Sequence, residues 1–166
     1  VEAIEGPRDV AILTAGRGLV AAPQDHSATD ITHMIALNTT APLLLAQALF
    51  PALSEVGGTL VFVGSTAANG AQRDFSVYAA TKAAIAGAAR SLRLEWAGRV
   101  HVTLIHPGPT ATGMHDKAGL GDIMIRKFFT PPHKVAAAMV RAIEKPVRVK
   151  SFGPVFMLRH AFGGKT

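Results

Sequence analysis

The stretch TLVFVGSTAANGAQRDFSVYAATKAAIAGAARSLRLEW, Thr59 to Trp96, decides how the chain folds. It opens on TLVFVG (Thr59 to Gly64), a β-branched and aromatic run that ends in glycine. A short run of this kind reads as a strand buried on both faces, as in a parallel sheet. After a polar, glycine-containing stretch, Ser76 to Trp96 forms a long alanine-rich pattern with Ile85, Leu92 and Leu94, which predicts a helix. Working outward, DVAILT (Asp9 to Thr14) and VHVTLI (Val100 to Ile105) read as two further buried strands, and Val147 to Phe152 as a fourth. Thr29 to Leu53 predicts a helix capped by Thr29 or Asp30, apolar at Ile31, Met34, Ile35 and Leu37, and disturbed in its middle by Pro42. Pro132 to Ile143 predicts another, with proline at its start, where a helix tolerates the missing amide donor. Strands alternating with helices imply an α/β domain built on a parallel sheet. In such sheets ligands bind beyond the carboxyl ends of the strands, so the residues that follow each strand are the candidate site.

The chain has 166 residues, 49% of them apolar and 17% charged, which suits one domain with a sizeable buried core. The absence of cysteine excludes disulfides and thiolate metal sites and leads to the expectation of a cytoplasmic protein. The richest apolar stretch, Ala41 to Leu53, is broken by Gln47 and carries Pro42 and Pro51. No uninterrupted run reaches the ~18 apolar residues of a bilayer crossing, so no membrane span is expected. No basic, apolar leader opens the sequence, and the first residue is Val1, so a processed chain or a piece of a longer one is expected. The formal charge of +6 raises a nucleic-acid reading. The cations are mostly scattered, with a cluster at Arg141, Lys145, Arg148 and Lys150, and aromatics make up only 6% of the chain. Base-stacking surface is therefore poorly supplied and no nucleic-acid partner is expected. A basic surface facing a phosphate-bearing or acidic molecule is the milder account of the charge.

Ser65 follows the second strand, and Tyr78 and Lys82 stand one helical turn apart on one face of the helix after it. A free phenol loses its proton only near pH ~10. A neighbouring ammonium favours the phenolate, so the spacing leads us to expect a Tyr78 phenol of lowered pKa, able to exchange a proton with an alcohol or a ketone. Ser65 could hydrogen-bond the same oxygen. A tyrosine and lysine at this spacing more often make a solvated helix face. Context adds weight here, because Tyr78 is the only tyrosine and its helix follows a strand that runs into serine.

The segment Ser65 to Lys82 resembles the S-x(12)-Y-x(3)-K signature of the short-chain dehydrogenases/reductases. Thr14-Ala15-Gly16 resembles that family's N-A-G turn, and Asn38 in IALNTTAP matches the helix asparagine of its tetrad. PGPTAT (Pro107 to Thr112) resembles its P-G-x-x-x-T cofactor turn, and TPPHKVA (Thr130 to Ala136) the start of its late helix. The resemblance covers about residues 8 to 155. It implies one partial Rossmann-like domain over residues 1–166, a doubly wound parallel sheet holding only the C-terminal strands, four to seven, of the family fold. It implies an NAD(P)-dependent oxidoreductase acting on a secondary alcohol or carbonyl. Tyr78 would be the general acid/base, and Lys82 would lower its pKa and hold the nicotinamide ribose. Ser65 would position the reacting oxygen, and Asn38 would hold a water linking Lys82 to solvent. Thr14, Ala15, Gly16, Pro107, Gly108, Thr110 and Thr112 would line the nicotinamide half of NAD or NADP. Residues 113–130, with Met114, Leu120, Ile123, Met124, Phe128 and Phe129, would cap the substrate. A homodimer or homotetramer through helices 29–53 and 76–96 is implied as well.

Departures from the family pattern are also legible. The T-G-x-x-x-G-x-G turn whose helix N-terminus cradles a pyrophosphate is absent, with the family's first three strands. Asp9 to Thr14 would then be an apolar sheet edge, so a longer chain or a covering partner is expected, and these residues alone are expected to bind dinucleotide poorly. This gap keeps open a second function class, a catalytically silent α/β association module. Gly16 to Ala21 fits G-x-G-x-x-[GA], yet Ala22-Pro23-Gln24-Asp25 follows where a helix should open, so a plain loop is expected. Thr14 replaces the usual asparagine and has a shorter reach. Position 67 is Ala67, which leaves the G-x-S-x-G nucleophile elbow incomplete around Ser65. The seven histidines form no H-E-x-x-H, Asp30 and His33 being the closest helical pair. They are expected to face water, with no metal site, and His106 to be a structural residue at a strand end.

Overall fold

The computed structural model of the chain describes residues 6–110, 130–145 and 149–151. Among these, β1 (Val10–Leu13), β2 (Thr59–Val63), β3 (His101–His106) and β4 (Val149–Ser151) form one sheet. The strands lie side by side in chain order and all neighbours are parallel. The register pairs Val10 with Thr59, Phe62 with Leu104, and His106 with Ser151. Each strand falls within a residue or two of its expected span. The helices are α1 (Ala28–Ile35), α2 (Ala41–Val56), α3 (Ser76–Glu95) and α4 (Pro132–Glu144).

Alternation along the strands divides the core between two faces. Leu60 and Phe62 of β2, with Val102 and Leu104 of β3, point to one face and pack against Ala46, Leu49 and Leu53 of α2 and Ile85, Ala86 and Ala89 of α3. Val61 and Ile105 point to the other, against Met139, Ala142 and Ile143 of α4. Full burial of a side chain such as Phe62 or Leu60 stabilises the fold by roughly 1.5–3 kcal/mol. Ala11 and Leu13 of β1 join the first cluster, whereas Val10 and Ile12, on the other face, are exposed.

One feature of the first long helix differs from expectation and another agrees with it. Its cap is Ser27 and not Thr29 or Asp30: the Ser27 hydroxyl accepts the Asp30 N–H at 3.0 Å and donates to the Asp30 carboxylate at 2.7 Å. The first of these bonds is that of an N-cap, and the second holds the Asp30 carboxylate at the helix start. Pro42 disturbs the middle of the helix, as expected, without ending it. Residues Ala36–Thr40 widen into a π turn, in which the Ala41 N–H reaches back to the Ala36 carbonyl, and Pro42 then sits in the first turn of α2. A wider turn accommodates the ring, and proline suits a position where no amide donor is required. Helical structure therefore continues from Ala28 to Val56, a run long and apolar enough to cross a membrane by length and composition, its most apolar 18-residue stretch having a mean hydropathy of 1.3 with 22% of that stretch buried. The expectation of no span, drawn from uninterrupted apolar runs alone, is not supported by helix length.

Candidate active site

Three adjacent parallel strands end on the same side of the sheet. Gly16 follows β1, Ser65 follows β2 and Pro107 follows β3. Ser65 leaves β2 in extended conformation and caps a short 3-10 turn, its Oγ accepting the Ala67 N–H at 3.2 Å. Its carbonyl oxygen lies 2.8 Å from His106 Nδ1, at the end of β3.

Helix α3 delivers Tyr78 and Lys82 to this place, both buried, at 9% and 5% exposure. The Ser65 side chain lies near the phenol and favours its ionised form. Lys82 Nζ stands 5.8 Å from the Tyr78 ring centroid and donates to the Val63 carbonyl at 3.0 Å. Phe75 meets the phenol ring edge-on at 6.0 Å. The hydroxyl, phenol and ammonium expected from the spacing are thus gathered at the carboxyl end of β2.

The electrostatics correct one expectation. Burial pushes the Tyr78 phenol above the ordinary tyrosine value, and the Ser65 hydrogen bond opposes this only in part. Lys82, also by burial, is pushed down to about 8. Desolvation disfavours the charged form of each group, so it outweighs the attraction that was expected to acidify the phenol.

Asn38 lies in the π turn with 1% exposure. Its amide accepts the Arg17 N–H at 2.8 Å and donates to the Arg17 carbonyl at 2.8 Å and to Thr81 Oγ1 at 3.1 Å. The side chain is committed to protein groups.

A Cβ on Gly16 would stand 3.2 Å from Asn38 Oδ1 and 3.4 Å from Lys82 Nζ, so the turn after β1 closes on the same pair. Thr14 and Ala15 of that turn are exposed. Residues 16–21 form the expected loop: a single 3-10 turn, Pro23–Asp25, follows them, and the Ala21 N–H bonds the Asp74 carbonyl at 3.1 Å. After β3, Thr110 Oγ1 donates to the Gly108 carbonyl at 2.9 Å, and the Thr130 N–H to the Pro109 carbonyl at 2.9 Å. Thr112 and residues 113–129 of the expected capping segment lie outside the described residues.

Sequence reasoning missed Arg17 and Thr81, which act through backbone and hydroxyl contacts and carry no motif of their own. It also misplaced His26, which was expected to face water, whereas His106 is a buried strand-end residue as expected. His26 is 9% exposed with neither ring nitrogen paired, and His106 is 3% exposed with a defined partner. Among the described residues no three metal-ligating side chains converge.

Comparison with known proteins agrees with this geometry. Residues 1–123 match the family model of the short chain dehydrogenases. D-threitol dehydrogenase of Mycolicibacterium smegmatis is 31% identical over 144 residues, covering 81% of this chain and 55% of that protein. Sepiapterin reductase of Chlorobaculum tepidum is 30% identical over 146 residues, covering 86% and 58%. Among solved structures, a short-chain dehydrogenase from Streptomyces avermitilis superposes with a TM-score of 0.78 at 26% identity, covering 94% of this chain and 65% of that one. One from Sphingobium yanoikuyae in complex with NADPH gives 0.77 at 26% identity, covering 86% and 56%. The chain belongs to the short-chain dehydrogenase family and has its Rossmann-like α/β fold. It spans about half the length of the curated relatives it matches.

Proposed function

We propose that this chain carries the catalytic centre of an NAD(P)-dependent oxidoreductase that interconverts a secondary alcohol and a carbonyl. The reading rests on one observation: Ser65, Tyr78 and Lys82 meet at the carboxyl end of β2. Membership of the dehydrogenase family and the NADPH complex of a structural relative support it.

The residues present suit a nicotinamide cofactor. Gly16 keeps open the space a Cβ would fill beside Asn38 and Lys82. The Lys82 ammonium has three N–H donors, and the Val63 carbonyl takes one, which leaves donors for ribose hydroxyls. Gly16, Pro107, Gly108 and Thr110, which follow β1 and β3, are read as lining the same half of the cofactor, and Thr14, Ala15 and Thr112 are assigned there by resemblance. The nicotinamide ring, when bound, supplies or accepts the hydride.

The chain's own residues handle the oxygen and its proton. Ser65 donates a hydrogen bond to the substrate oxygen. Tyr78, held protonated by burial at neutral pH, gives its proton to that oxygen as a carbonyl is reduced and takes it back as an alcohol is oxidised. Lys82 stabilises the phenolate so formed. Asn38 is read as holding a water that links Lys82 to solvent. NAD and NADP remain equal candidates.

We assign the protein to the cytoplasm and read the apolar outer face of the Ala28–Val56 run as a subunit interface and not a lipid face. Leu43 and Leu44 are exposed there, and Leu43, Phe50, Leu92 and Trp96 line a shallow groove of about 300 Å³ between α2 and α3. A second copy of the chain, in a dimer or tetramer, would cover it. That uncovered face is also what favours a catalytically silent association module. Titration with NADH and NADPH, followed by turnover with a panel of ketones and secondary alcohols, separates the two readings. Saturable binding and hydride transfer are expected of the oxidoreductase, and neither of the silent module.

A further inference from the structure

His106 reaches further than a buried strand end requires. A carbonyl oxygen only accepts, so at 2.8 Å from Ser65 O the His106 Nδ1 carries the hydrogen and donates. Burial pushes the imidazole below the ordinary histidine value; the Ser65 carbonyl opposes this, and the positive Lys82 and Arg93 add to it. The neutral Nδ1–H form is therefore selected near neutral pH. The ring is also seated on the backbone of Gly64, where a Cβ would stand 2.7 Å from Nδ1 and 2.9 Å from Cε1. The Gly64 N–H bonds the Ile105 carbonyl at 2.7 Å. The end of β3 thus grips β2 at the residue where the Ser65 side chain departs. Ser65 Oγ accepts the Ala67 N–H, and the same side chain opposes the rise of the Tyr78 phenol.

We propose that His106 is a positioning residue for the reaction, its Nδ1–H on the Ser65 carbonyl and its ring on Gly64 fixing the Ser65 hydroxyl against Tyr78. The kinetic part of this proposal rests on the oxidoreductase reading above; the contact between Ser65 and the phenol does not. Asparagine at this position places an amide N–H close to where Nδ1–H stands. Glutamine carries it one carbon too far, and leucine has no donor.

The test follows the ¹³Cζ resonance of Tyr78 with pH in the full chain, assigned by its loss in Tyr78→Phe, for wild type, His106→Asn, His106→Gln and His106→Leu. Loss of the Ser65 hydrogen bond should raise the phenol pKa in His106→Leu and His106→Gln by about half a unit or more, while His106→Asn titrates with wild type. Turnover should fall roughly 10- to 100-fold in the Leu and Gln variants, with KM changed less than about threefold, and His106→Asn should restore most of it. If the Leu variant does not fold, the Asn and Gln pair decides alone. Wild-type titration in a folded Leu or Gln variant, or an Asn variant displaced as far as Gln, overturns the proposal. If the titrations sort as expected but wild type transfers no hydride, the oxidoreductase reading fails and the positioning contact stands.

Discussion

The side-chain amide of Asn38 closes a two-bond pair with the backbone of Arg17, accepting its N–H and donating to its carbonyl, each at 2.8 Å. One residue in a π turn thereby fixes the loop after β1 as a strand neighbour would. Thr81, one residue before Lys82, takes a third bond from the same amide. The turn after β1, the widened helix and the helix carrying Tyr78 and Lys82 are thus tied at a single buried point. The Arg17 side chain adds a half-exposed ion pair with Asp30 at 3.2 Å, and such pairs contribute little to stability.

Asn38→Ala should therefore act on stability as well as on activity. It strands a backbone N–H and a backbone C=O in a part-buried place, which costs about 1–3 kcal/mol in all. Urea unfolding should show this as a lower midpoint with an unchanged slope. A variant within about 0.5 kcal/mol of wild type would mean that water replaces the amide without loss.

Lys82 should give the chain an alkaline gain in stability. Its value is about 8 in the fold against an ordinary 10.5. Between those limits the unfolded chain holds the extra proton, so stability rises with pH across the window and is lost as pH falls through about 8. The full separation is worth roughly 3 kcal/mol, each pH unit being about 1.4 kcal/mol. The raised Tyr78 phenol works the other way, but only above the ordinary tyrosine value of 10.0. Urea midpoints at about pH 7.5 and about pH 9.5 should show a gain of roughly 2 kcal/mol for wild type and none for Lys82→Met. Equal responses in the two proteins would contradict the burial of this ammonium.

Gly57 and Gly58 should differ in their tolerance of alanine. Gly57 ends α2 at φ +64, and nothing lies within 4 Å of an added Cβ. Gly57→Ala should cost about 1–2 kcal/mol, the left-handed backbone being the only obstacle. At Gly58 a Cβ would collide with the Arg8 and Asp9 carbonyl oxygens and touch Leu53. Gly58→Ala must displace backbone where β1 meets β2, and a loss of about 3 kcal/mol or more is expected. Thermal unfolding of both variants checks the order.

The sheet was legible because its strands carry a local signal. TLVFVG and VHVTLI are short and rich in β-branched residues, and they pair in register as β2 and β3. The Ser65, Tyr78 and Lys82 constellation was legible for the same reason, since helical spacing fixes which side chains share a face. What escaped is set by contacts distant in the chain. The Asn38 bonds to Arg17 and Thr81 span 21 and 43 residues, and that of His106 to Ser65 spans 41. The π turn before Pro42 depends on the helix continuing under tertiary support, which proline content alone does not reveal. The direction of the Tyr78 shift also depends on burial, and a spacing argument sees only the neighbouring charge.

The central claim is that the Tyr78 hydroxyl exchanges the proton of the reacting oxygen. The most direct measurement compares hydride transfer by wild type and by Tyr78→Phe at matched cofactor saturation. General acid/base assistance is worth about 10²- to 10⁴-fold, so the variant should lose that much turnover while still binding cofactor. Turnover within about twofold of wild type, with binding intact, would contradict the account.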